Sequence, residues 1–261
     1  MKADEYLRYY SAQIPVIGKA AQEKLREIKV LIVGLGGLGS NMALSLAMLG
    51  VCDISVIDPQ KLEASNLNRW PFGGRADIGL PKVRAAARFF ARTPHIGFTG
   101  LGVKNEHPQS DRLYRLCDWV FSCANTVSAR IAAARKAIRF KKPLIDLAVS
   151  DGGKPLRGVI KYWLPQNADW SACPECYLPS RKGLPRDEGL LFTPIAITAS
   201  LAVHIFLALV TEYHDSFFKS RNLLTMDLEG CRTDIMAVQK RPDCRGCRPA
   251  DEPARTEEKA R

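Results

Sequence analysis

The chain has 261 residues, 46% hydrophobic and 25% charged, with a formal net charge of +11. That composition reads as an ordinary soluble globular protein, with one large α/β domain favoured over two small ones because no Gly/Ser/Pro-rich linker interrupts it. The opening residues MKADEYLRYY lack the apolar core of a secretory signal, and the longest apolar run, the 16 residues Ile195–Val210, contains His204 and falls short of the about 20 residues that a bilayer requires. A cytoplasmic location without a membrane span is therefore expected. The positive charge favours an acidic partner, whether a nucleotide, RNA or an acidic carrier protein, without choosing among them.

Residues 1–28 read as a short polar arm, LRYYSAQIPVIG, and an amphipathic helix, AAQEKLREI. The run Val30–Val33 reads as a strand, broken by Gly34, Gly36, Gly37 and Gly39, continued at helical spacing to Gly50 and followed by a second strand ending at Asp58. Each part has a physical reason. The glycines let backbone approach a phosphate, the helix starting near Gly37 points its amides at it, and Asp58 can take two ribose hydroxyls. Alone, this pattern most often marks a dinucleotide-binding dehydrogenase.

After Asp58 comes an irregular stretch to about Gly79, and a connection this long is more often functional than passive. LPKVRAAARFFART then reads as a helix with Pro81 in its first turn. A strand at His95–Leu101, a helix around Gln109–Cys117, a strand at Asp118–Cys123, a helix at Val127–Phe140 and a strand at Pro143–Ala148 extend the alternation. Such alternation predicts a doubly wound, mainly parallel Rossmann-like α/β sheet. Beyond Val149, DGGKPLRGVIKYWLP and Leu223–Val238 read as strands of an antiparallel C-terminal extension, flanking a polar stretch at Pro179–Glu188 and the apolar helix. Residues 1–248 are taken as a single domain, with 29–150 its nucleotide-binding half and 151–248 its substrate-side half; the charged tail 249–261 is expected to be disordered. Arg135, Lys136, Arg139, Lys141 and Lys142 fit one solvated helix face and its exit.

Cysteine spacing is the strongest local signal. Cys173-Pro-Glu-Cys176 and Cys244-Arg-Gly-Cys247 are two C-x-x-C knuckles separated by 67 residues, and together they supply four thiolates, the complement of a closed structural zinc site. A redox pair needs only one knuckle. Such a site would staple the C-terminal tail onto the segment at 170–176. Cys52, Cys117 and Cys123 lie in apolar elements as core residues, and Cys231 follows Gly230 in an expected strand. The second signal is Ser65-Asn66-Leu67-Asn68-Arg69 followed by Gly79-Leu80-Pro81-Lys82. Hydride transfer has no need of Arg69 and Lys82 here, whereas a triphosphate does, because two cations offset charge on a leaving pyrophosphate.

The order GLGGLGS, VIDPQ, SNLNRW, GLPK, a CANT segment and two C-x-x-C knuckles resembles the ThiF/MoeB/HesA family, bacterial relatives of ubiquitin-activating enzymes, across nearly the whole chain. The resemblance implies binding of ATP and magnesium, adenylation of the C-terminal carboxylate of a small ubiquitin-like or sulfur-carrier protein, a homodimer and a structural zinc. It implies that Gly34, Gly36, Gly37 and Gly39 line the phosphates, Asp58 holds the ribose, and Asn66, Arg69 and Lys82 contact the triphosphate.

The chain departs from the family pattern at four positions. Ala12 stands where an arm arginine reaches the partner subunit's ATP, and Asn125 stands where an aspartate binds magnesium, leaving a carbonyl oxygen without the charge magnesium prefers. Gln60 and Trp70 replace a second acid and a glutamine. No cysteine lies between Tyr177 and Gly230, so a thioester on that loop is not expected. The function read from the sequence is therefore ATP-dependent adenylation of a carrier-protein or peptide carboxylate, with Arg69, Lys82 and Asn125 in catalytic positions and no thioester cysteine. The alternatives are a nucleotide-binding pseudoenzyme or partner subunit on the same scaffold, and an enzyme adenylating a small molecule or a tRNA base.

Overall fold

The computed structural model describes residues 2–93, 95–149, 156–177, 190–211, 215–242, 244 and 246. Among the described residues its frame is one sheet of eight strands, in the order β3-β2-β1-β4-β5-β6-β7-β8. Strands β1 (Lys29–Val33), β2 (Asp53–Ile57), β3 (Gly97–Leu101), β4 (Trp119–Ser122) and β5 (Leu144–Val149) are parallel. Strands β6 (Arg157–Trp163), β7 (Leu223–Asp227) and β8 (Arg232–Met236) extend the sheet antiparallel from β5, so a single sheet runs through both halves of the chain. The expected mixed architecture is thereby present. Helix α8 (Pro174–Tyr177) carries the first cysteine knuckle, and α10 (Asp215–Lys219) leads into β7. The stretches 151–155 and 179–188 and the tail 249–261 lie outside the described residues.

Strand alternation divides the core into two layers. Val30, Ile32, Ile54 and Val56 face α4 (Gly37–Leu49), α5 (Lys82–Phe90) and α9 (Phe192–Thr211), while Leu31, Val33, Val120 and Leu144 face α6 (Asp111–Leu116) and α7 (Val127–Arg139). Helix α9 is apolar because it is enclosed: Phe206 meets Trp119 and Phe121 edge-on at centroid distances of 5.3 and 5.4 Å, and Ile195, Ala199, Ala202 and Ile205 are buried. By length and composition alone it could cross a bilayer, yet 61% of its most apolar window is buried inside the fold.

Three expectations are corrected. The N-terminal arm is helical and anchored rather than simply polar: α1 (Ala3–Tyr9), α2 (Ile14–Ile17) and α3 (Lys19–Glu27) pack around buried Tyr6 and Tyr10, whose hydroxyls donate to Gly50 O at 2.8 Å and Ala47 O at 3.0 Å. Apolar side chains spaced by short polar runs gave no continuous helical stripe, so the ring contacts were invisible. Cys231 sits in the turn before β8 with φ of +49° and is exposed, not in a strand. The basic run on α7 is not a purely solvated face, because Lys136 pairs with Asp111 at 2.7 Å with 15% of its side chain exposed, and Arg135 pairs with Glu175. Of the three cysteines assigned to the core, Cys117 and Cys123 are buried and Cys52 is half-buried.

Tyr6 also donates to Gln22 O at 3.1 Å and accepts from Gln22 Nε2 at 2.8 Å. Tyr6→Phe removes these buried hydroxyl contacts, leaving Gln22 Nε2 only its bond to Leu49 O at 3.1 Å, and should lower stability by about 1–3 kcal/mol, read from the denaturant midpoint at unchanged slope.

Candidate nucleotide crevice

The strand order reverses between β1 and β4, since β1, β2 and β3 run outward in one direction and β4 and β5 in the other. In such sheets the ligand crevice opens at the carboxyl ends of the strands at that reversal. Here it is walled by the Gly34–Gly39 loop after β1 and the Cys123–Thr126 turn after β4. The two walls touch. Gly34 has φ of +93°, and a Cβ there would come within 2.9 Å of Cys123 O.

The glycines have different duties. A Cβ on Gly39 would stand 1.8 Å from Gly34 O, so this position exists to let α4 close onto the end of β1. A Cβ on Gly37 would stand 3.0 Å from Ile195 Cδ1 and 3.1 Å from Arg69 Cδ, whereas one on Gly36 would meet nothing within 4 Å. That open space lies over the N-terminus of the 13-residue helix α4, where free amides favour an anion.

Asp58 is 3% exposed, and its oxygens accept Leu35 N–H at 2.6 Å and Gln60 N–H at 2.7 Å. The acid thus ties the glycine loop to the segment after β2. Gln60 relays the link, because its Oε1 accepts from Lys82 Nζ at 2.8 Å. Burial draws the Lys82 ammonium below the ordinary lysine pKa; Asp58 and Glu63 oppose that shift, and Arg69 reinforces it. A buried cation bonded to a neutral amide is well suited to an incoming anion.

Arg69 lies across the start of α4 and donates from Nη1 to Ser65 O at 2.6 Å and Asn68 Oδ1 at 2.8 Å. Its backbone is held by Asn41, whose Nδ2 donates to Arg69 O at 3.0 Å and Gly37 O at 2.7 Å. Asn66 caps the short helical turn Ala64–Asn66, its Oδ1 accepting Glu63 N–H at 3.2 Å. Gly34, Gly36, Gly37, Gly39, Asp58, Asn66, Arg69 and Lys82 thus belong to one continuous neighbourhood.

Three departures from the family pattern take defined places. Trp70 is 3% exposed, donates from Nε1 to Leu35 O at 2.8 Å and meets Phe72 edge-on, so it braces the glycine loop from within the core. Ala12 is exposed, and the adjacent Gln13 donates to Met48 O at the far end of α4, about 18 Å along the helix from the glycine loop. Asn125 is exposed on the turn after β4. Residue signals in the sequence pointed to the glycines and cations, but not to Asn41; a polar side chain four residues after Gly37 in an apolar helix was the available clue.

Asp58, Gln60 and Asn125 leave no free carboxylate for magnesium among them. Asp58 is occupied by two amides, Gln60 by Lys82, and Asn125 carries no charge, while magnesium favours carboxylates. Zinc fits a different place. The Cys173 sulfur is 3.9 Å from Cys176 and 3.7 Å from Cys244, close to the about 3.8 Å edge of a tetrahedron with thiolates about 2.3 Å from zinc. The fourth expected ligand, Cys247, lies outside the described residues. The three described cysteines would hold the ion, which would supply a structural cross-link between α8 and the tail.

Fold and crevice together define a doubly wound nucleotide-binding protein with cations gathered beside a helix N-terminus. The ThiF family pattern matches residues 10–246, and the chain belongs to the ThiF family. It is 28% identical over 251 residues to the molybdopterin-synthase adenylyltransferase of Escherichia coli K12, covering 94% of this chain and 98% of that one. It is 33% identical over 148 residues to the adenylyltransferase and sulfurtransferase uba4 of Emericella nidulans, covering 56% of this chain and 31% of that longer relative. The crystal structure of E. coli MccB with ATP shares the fold with a TM-score of 0.72 at 20% identity, over 94% of this chain and 73% of that one.

Gly36→Ala should leave the melting midpoint unchanged while weakening ATP binding at least about tenfold in calorimetric titration, since the methyl enters only ligand space. Gly39→Ala, which collides with Gly34 O, should lower both. For the cysteine cluster, chelation should release one zinc per chain and lower the melting midpoint, and Cys173→Ser should abolish the chelator effect.

Proposed function

We propose that this protein is an ATP-dependent adenylyltransferase that activates the C-terminal carboxylate of a small ubiquitin-like or sulfur-carrier protein, or of a peptide, without a thioester cysteine of its own. The observation that carries the reading is the pairing of open space at Gly36, over the N-terminus of α4, with two neighbouring cations, Arg69 and Lys82. The full-length alignment to the molybdopterin-synthase adenylyltransferase supports it, as does the structural likeness to MccB, solved with ATP and with the peptide MccA. A dehydrogenase would leave both cations without a task.

The backbone amides at the start of α4 hold phosphate oxygens, and Asp58 holds the ribose with lone pairs that its two backbone donors leave over. The carboxylate oxygen attacks the α-phosphorus, forming an acyl-phosphate bond as the bond from that phosphorus to the pyrophosphate oxygen breaks. Arg69 and Lys82 stabilise the charge that collects on the pyrophosphate, and Asn125 lies at the crevice wall to orient the triphosphate through its amide. Such preorganised cations act strongest where water is thin, and Lys82, 5% exposed, meets that condition. Because Ala12 is far from its own crevice, any arm contribution would come from a second copy in a homodimer.

The test is ATP–pyrophosphate exchange in the presence of carriers or peptides ending in Gly-Gly. Lys82→Ala and Arg69→Ala should each reduce exchange by about 10²–10³-fold. Because burial lowers the Lys82 pKa, its charge is lost as pH rises at a lower pH than for an ordinary lysine, so ATP affinity should decline there and Lys82→Arg should shift the decline upward. Intact ATP binding without exchange on any such carboxylate would make the protein a nucleotide-binding partner subunit instead.

A further inference from the structure

A buried ion pair lies directly behind the crevice. Arg130 donates from Nε to Asp146 Oδ1 at 3.0 Å and from Nη2 to Asp146 Oδ2 at 2.5 Å, with side-chain exposures of 10% and 0%. Asp146 lies on β5 opposite Ser122, the last residue of β4, whose Oγ is buried without a hydrogen-bond partner. Arg130 lies in the first turn of α7, where its amide donates to Thr126 O at 3.1 Å. Between Asn125 and Ile131 it is the only buried residue. The remaining anchors of α7 lie further along, where Ala133, Ala134 and Ala137 pack on the sheet and Lys136 pairs with Asp111.

We propose that the Arg130–Asp146 pair positions the Cys123–Thr126 turn against the glycine loop and thereby sets the nucleotide affinity of the crevice. The turn enters from β4, where Cys123 N–H bonds Val33 O at 2.8 Å, and leaves into α7 through Thr126, whose Oγ1 accepts Ala129 N–H. Its entry is fixed by the sheet. Its exit is fixed by the first turn of α7, and the bidentate guanidinium–carboxylate contact is what ties that turn to β5. The turn in turn abuts Gly34, 2.9 Å from the position of a Cβ on that residue, so displacement of the exit opens the wall of the phosphate pocket. Buried ion pairs add little net stability relative to apolar side chains of similar volume, and a positional role is the better reason to keep one. Arg130 and Asp146 are positioning residues and touch no reacting atom. The effect on the KM for ATP rests on the adenylation reading, whereas the effect on the turn does not.

The deciding experiment compares the wild type with the double variant Arg130→Met, Asp146→Leu, which removes both charges together and so keeps the fold. In the ligand-free proteins, amide hydrogen exchange at residues 123–130 should accelerate at least about tenfold in the variant, with rates in β6 to β8 and the melting midpoint unchanged. The KM for ATP in pyrophosphate exchange should rise about tenfold with the maximal rate held within about twofold. Arg130→Lys, which keeps one charged contact, should recover part of the protection. Unaltered exchange at 123–130, or an acceleration spread evenly through the sheet, overturns the proposal. A wild type that binds no ATP overturns the adenylation reading and leaves the ligand-free exchange to decide the role of the pair.

Discussion

The architecture depends on how closely the start of α4 approaches the end of β1. A Cβ on Gly39 would be 1.8 Å from Gly34 O, so no other residue lets the helix close onto the strand. Once it closes, the amide of Leu35 reaches the carboxylate of Asp58, Trp70 reaches Leu35 O, and Asn41 bridges Gly37 O and Arg69 O. Each contact brings a distant part of the chain to the same few ångströms of backbone. The loop is both the phosphate site and the hub of the surrounding hydrogen bonds.

Charge is distributed with a bias that follows from this hub. Much of the positive excess on α7 is already matched, Lys136 and Arg139 by Asp111 and Arg135 by Glu175. In the crevice the balance is different. Lys82 is buried beside an amide, Arg69 is held by a carbonyl and an amide oxygen, and the one buried acid is engaged by backbone donors. Positive charge is therefore retained where a polyphosphate would sit.

The C-terminal half contributes shape. Antiparallel β6 to β8 widen the sheet, and α9 covers the face shared with α4, bringing Ile195 to within 3.0 Å of where a Gly37 Cβ would be. The cysteine cluster sits apart from the crevice, where Trp163 packs with Cys173 and Cys244. The 28% identity to the E. coli adenylyltransferase extends through both halves, in keeping with one sheet running through them.

Periodicity and spacing in the sequence determined the alternating elements, the glycine turn, Asp58, the Arg69 and Lys82 cations and the cysteine knuckles, because each is a local pattern imposed by backbone geometry or ligand number. The tertiary structure alone decided what these residues touch. That Trp70 is a brace, that Gln60 is the partner of Lys82, that Tyr6 and Tyr10 anchor the arm, and that Arg130 meets Asp146 all depend on contacts between elements far apart in the chain. A single side chain has no period, and its partner is chosen only when helices and strands pack, which is why those four assignments could not be read from the order of residues.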